Sequence, residues 1–66
     1  MSAAGMADVA ALQRQQAGLE RRLVDGWRKI DVAIAEGRDV QAWEDHWLRL
    51  LADYEAVSER IAAIPN

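Results

Sequence analysis

The 66-residue chain contains no cysteine and no phenylalanine, and it has only one proline and one histidine. Without cysteine it has no disulfide to staple a small fold, which fits a reducing compartment. It also has no thiol nucleophile and no thiolate metal ligand. The lone proline, Pro65, leaves the rest of the chain free of the residue that breaks helices. Gly18, Gly26 and Gly37 stand isolated, so no glycine-rich phosphate loop is formed. No apolar run approaches the ~20 residues of a bilayer span, which predicts no membrane partner. Met1 to Gly5 are small and uncharged, without a basic n-region or an apolar h-region. That predicts no signal peptide and a cytoplasmic location. Basic charge is in deficit, eight Lys+Arg against eleven Asp+Glu, and a net charge of -3 favours solubility. It weighs against general binding to nucleic acid or membranes.

The residues that carry chemistry are equally sparse. His46 falls at a heptad g position, with Asp39 and Asp53 each seven residues away. At helical rise that is ~10.5 Å, too far for either carboxylate to orient the ring. A half-exposed boundary histidine is the expectation. A di-iron helical bundle needs Glu-x-x-His facing the core, and the position of its glutamate is Trp43. Glu44 and Asp45 are adjacent, so their side chains diverge by ~100° and do not chelate together. Ser58 has no histidine within helical reach. The sequence therefore predicts no enzyme, no metal, no cofactor and no small-molecule substrate.

What the chain does have is a hydrophobic period. Val9, Leu12, Gln16, Leu19, Leu23, Gly26, Ile30 and Ala33 recur in steps of three and four. So do Val40, Trp43, Trp47, Leu50, Tyr54, Val57, Ile61 and Ile64. This is the a/d pattern of coiled-coil-like heptads, and strand-like alternation is absent. Gly37 suits the left-handed position after a helix, and Asp39 is placed to cap the next one. The prediction is an all-α fold: one antiparallel two-helix hairpin domain over residues 1–66. Residues 1–5 are expected to fray, with helices at about 7–36 and 40–63 and a turn at about 37–39. A turn centred near Arg38 pairs residues whose numbers sum to 76 or 77, such as Ala33 with Trp43, Ile30 with Trp47, Gly26 with Leu50 and Gln16 with Ile61. Trp43 and Trp47 then fill the core, and the small residues Gly26 and Ala33 make room for an indole.

Two helices bury one stripe each against one another, yet apolar residues spill beyond the seam. Val24, Trp27 and Ile34 on the first helix, with Leu48 and Leu51 on the second, are the expected protein interface. Trp27, at an e position, is its anchor. Because small folds without disulfides or metals commonly oligomerise, the expected assembly is a homodimeric four-helix bundle. The surplus sits in the half nearest the turn, which allows an offset dimer, a same-end dimer or a different protein partner.

Charge is segregated as well. Arg14, Arg21 and Arg28 share an f stripe, with Arg22 and Lys29 beside them at g. This basic ridge is expected to be a solvated face carrying i,i+4 pairs such as Arg21–Asp25, Asp25–Lys29 and Asp45–Arg49. The sharper reading makes it a contact for an acidic partner or a nucleic-acid backbone. The leading functional expectation is a non-enzymatic interaction or scaffolding module that acts as a homo-oligomer. The alternative is an RNA- or DNA-binding hairpin dimer.

Overall fold

A computed structural model of the chain describes residues 3–65, with side chains from Asp8 to Pro65. Two helices, α1 (Ala3–Ala35) and α2 (Gln41–Ala62), pack against each other as a hairpin, and the described residues include no strand. The helix α1 takes in residues 3–6, so it starts four residues before the expected 7. At ~1.5 Å per residue α1 is ~50 Å long and α2 ~33 Å.

The reversal of the chain is built by Gly37. Its φ of 73° is the left-handed conformation that costs a side chain steric strain. The Gly37 N–H donates to the Ile34 carbonyl at 3.0 Å, and the Arg38 N–H donates to the Ala33 carbonyl at 2.9 Å. Together these close two of the last free carbonyls of α1, the pattern of a Schellman motif. The Asp39 Oδ1 accepts from the Gln41 N–H at 3.0 Å. The residue flanking the first turn of α2 is nonetheless Val40, whose side chain forms no cap. Asp39 thus satisfies an orphan N–H from one residue further out than a standard cap. At its far end α2 closes with the Ala63 N–H on the Glu59 carbonyl at 3.0 Å, and Pro65 follows.

Leu19, Leu23, Ile30, Ala33, Leu50 and Val57 are the buried hydrophobics, all from the expected seam. Leu12, Trp47, Leu51, Tyr54 and Ile61 pack partly buried against the cluster of Leu19, Leu23, Leu50 and Val57. Toward the open end the seam turns polar. There the Gln16 Nε2 donates to the Ser58 hydroxyl oxygen at 2.9 Å, which satisfies two groups that the seam half buries.

Three expectations need correction. The cross-helix contacts Gly26–Trp47 and Gln16–Ser58 give number sums of 73 and 74, not 76 or 77. The helix α2 therefore lies about one turn further along α1 than a symmetric turn places it. The Schellman motif is the physical reason: the left-handed Gly37 and the return of the Arg38 N–H to the Ala33 carbonyl centre the reversal on Gly37, ahead of Arg38. Trp43 is not a core residue: 41% of its surface is exposed, and the Arg38 guanidinium stacks on its ring, 5.1 Å from the centroid. It stands in the first turn of α2, at the edge of the packed seam. Leu51 is half buried against the core cluster, not free on the surface.

The molecule measures 54 × 14 × 14 Å, with a radius of gyration of 15.6 Å. A compact domain of this length would give about 11 Å. The hairpin is one layer thick, so most residues off the seam face outward, with Leu51 and Ser58 half buried at its edge.

Candidate functional site

The helical wheel separates two sides of the hairpin. On one side, Val24, Trp27 and Ile34 follow at i, i+3 and i+10 along α1, and Leu48 and Leu51 sit at i and i+3 on α2. Trp27 is 53% exposed, and Val24, Ile34 and Leu48 are exposed to a similar degree. Four of the five expected interface residues are thus outward and together. Leu51 forms the inner wall of the patch, between Leu48 and the core. Val32 is also exposed, but 200° around the wheel from Ile30 it faces away from this patch.

The patch has a rigid floor. Trp47 donates its Nε1–H to the Leu23 carbonyl at 2.7 Å, across the helix–helix interface. Its indole lies over Gly26, where an added Cβ would come within 3.1 Å of Trp47 Cδ1. A side chain there makes the indole give way by a few tenths of an ångström. Trp27 then packs on Trp47, with ring centroids 5.6 Å apart and planes tilted by 52°. Tilted pairs of this kind hold aromatic rings in place beyond what burial alone achieves. A sequence pattern locates Trp27 outside the seam, but its stacking on Trp47 depends on the register shift described above.

On the opposite side, an open cleft of ≈ 580 Å³ runs between the helices past Arg22, Asp25, Lys29, Trp43 and His46. A second, shallow hollow continues it past Gly18, Arg22, Asp53 and Arg60. The basic ridge is therefore divided. Arg22 and Lys29 border the cleft, with Asp25 between them on the helix, whereas Arg14, Arg21 and Arg28 are exposed on the outer face. The expected i,i+4 ion pairs are not closed; among the described residues the ion pair is Arg38–Glu36, at 3.4 Å and exposed. His46 is exposed, and among the described residues no three His, Asp or Glu side chains gather as metal ligands. No helix of the described residues is long and apolar enough to cross a membrane.

Comparison with known proteins finds no matching family model, no matching curated protein and no matching solved structure.

Proposed function

We propose that the protein is a non-enzymatic interaction module, a helical hairpin that docks the Val24/Trp27/Ile34/Leu48 face onto another polypeptide. The observation that carries this reading is surface area. The folded chain exposes 5306 Å². A folded monomer of 7.4 kDa exposes about 4,200 Å² on average, and its unfolded chain about 10,700 Å². The hairpin thus keeps about half of its unfolded surface exposed and carries an excess on the order of 1,000 Å², shared between the apolar face and the stretch of α1 that extends beyond α2. One side of a standard protein–protein interface covers ~800 Å². The surplus apolar side chains are clustered, which is how docking faces differ from scattered surface hydrophobics. A homodimeric four-helix bundle is the self-associating form of this reading.

The second reading, nucleic-acid binding by the basic ridge, draws support from Arg14, Arg21 and Arg28 lying exposed on one stripe. Asp25 interrupts that surface, and the net charge of -3 opposes a polyanion. Salt separates the two: phosphate contacts weaken steeply with added salt, whereas apolar association does not.

Sedimentation equilibrium, with helicity followed by circular dichroism on the same samples, tests the docking reading. An exposed half of a tryptophan is on the order of 100 Å² of largely apolar surface, so its removal is expected to weaken association at least tenfold. The expected result for Trp27→Ala is that loss at unchanged helix content. Parallel loss of helicity and association would instead make Trp27 a residue of the fold.

A further inference from the structure

The apolar face has a charge pattern of its own. Continuing the stripes by helical steps of four and three gives Glu20–Val24–Trp27–Asp31 on α1 and Glu44–Leu48–Leu51–Glu55 on α2. Each stripe reads acid, apolar, apolar, acid, and on α1 the next step of three beyond Asp31 reaches the exposed Ile34. The contacts Gly26–Trp47 and Gln16–Ser58 set the relative height of the helices, so Glu20 lies near the level of Glu55 and Asp31 near that of Glu44. Val24, Trp27, Leu48 and Leu51 form the centre of a rectangle with a carboxylate at every corner. The two carboxylates on each helix are eleven residues apart, about 16 Å by helical rise. All four are exposed, and among the described residues no Lys, Arg or His nitrogen lies within 4.0 Å of their carboxylate oxygens. No basic residue falls on either stripe.

This arrangement bears on what covers the face. A second copy, centred on the patch by a two-fold axis lying in the interface, superposes corner on corner. With the axis along the hairpin, Glu20 meets the level of Glu55 and Asp31 that of Glu44. With the axis across it, Glu20 meets Asp31 and Glu44 meets Glu55. Both place carboxylate against carboxylate at every corner, and like-charge juxtaposition is what interfaces use to reject a partner. A ligand of opposite charge turns the same four groups into attractive contacts.

Building on the docking reading above, we propose that this face binds a basic amphipathic helix from another protein. That helix has a short apolar face with a lysine or arginine at each end, about eleven residues apart. The Trp27–Trp47 stack offers it a preformed apolar floor, so little side-chain ordering is needed on binding. Recognition is then of the helix-in-groove kind, with apolar anchors at i+4 and i+7 and charge setting the sign of the partner.

The test uses the full chain and two synthetic helical peptides without tryptophan. One has leucines at i+4 and i+7 with lysines at i and i+11; the other has glutamates at i and i+11. Binding is followed by the tryptophan fluorescence of the protein at low and at physiological salt. The lysine peptide is expected to bind about tenfold more tightly, from several exposed pairs of modest strength, with the preference shrinking as salt rises. A variant carrying Glu20→Gln, Asp31→Gln, Glu44→Gln and Glu55→Gln should lose that preference while keeping its helicity. Equal binding of both peptides overturns the charge assignment and leaves the docking reading standing. Binding of neither, with a wild-type dimer that Trp27→Ala disrupts, identifies a second copy as the occupant and overturns the inference alone. Binding of neither by a monomeric hairpin overturns both.

Discussion

Gly18 and Gly26 lie in the interior of the same helix, eight residues apart, and differ in one contact. An added Cβ at Gly18 meets nothing within 4 Å, whereas at Gly26 it meets Trp47 Cδ1 at 3.1 Å. Replacing either glycine by alanine brings the same helix-propensity gain, roughly 1 kcal/mol. At Gly18 that gain should appear undiminished, raising the melting temperature by about 4–8 °C for a domain of this size. At Gly26 the indole must retreat by a few tenths of an ångström to readmit a methyl group. It is tied to the Leu23 carbonyl by a 2.7 Å hydrogen bond and backed by Trp27. The retreat stretches the bond toward ~3.0 Å, still within hydrogen-bonding range, and strains the stack. The two effects roughly cancel, so Gly26→Ala should change stability by less than about 0.5 kcal/mol. Gly26→Leu goes further and should cost about 1–3 kcal/mol through overpacking.

Urea denaturation followed by circular dichroism, at one protein concentration for all variants, measures each of these. Concentration must be held because association raises apparent stability. In a Trp47→Leu background the obstacle is gone, and Gly26→Ala should recover most of the gain seen at Gly18. That double-mutant cycle assigns the difference to the Gly26–Trp47 contact. Equal gains for Gly18→Ala and Gly26→Ala in the wild-type background would refute the packing of Trp47 on Gly26, and the register with it.

Two other substitutions check the elements that set this register. Trp47→Phe keeps an aromatic ring but removes the donor to the Leu23 carbonyl, and should cost about 1 kcal/mol in urea unfolding. A loss below ~0.3 kcal/mol would show that the indole N–H contributes nothing beyond what water supplies. Gly37→Ala forces a Cβ into a left-handed conformation and should cost about 1–2 kcal/mol, read as a fall in melting temperature. An unchanged melt would mean that α1 ends by another route than the Schellman motif.

Much of this protein is written in local sequence. The steps of three and four from Val9 to Ala33 and from Val40 to Ile64 determine two helices and their inner faces. A helix is a local structure whose period repeats within a few residues, so pattern alone suffices. Gly37 marks the reversal for the same reason: the need for positive φ belongs to one residue and its immediate neighbours. Four of the six exposed large hydrophobics, Val24, Trp27, Ile34 and Leu48, were legible too as apolar residues off the seam, whereas Val32 and Trp43 were not.

Tertiary structure decided the axial slide of one helix on the other, and everything that depends on it. Heptad stripes are nearly self-similar under a shift of one turn, so their pattern ranks neighbouring registers almost equally. The choice falls to particular contacts: the Schellman turn that reverses the chain at Gly37, the indole seated over Gly26, and the Gln16–Ser58 hydrogen bond. That slide stacks Trp27 on Trp47, leaves Trp43 outside the core beneath Arg38, and tucks Leu51 against it. The acids of the two stripes are visible in the sequence, but their alignment into one framed face exists only once the helices are set side by side.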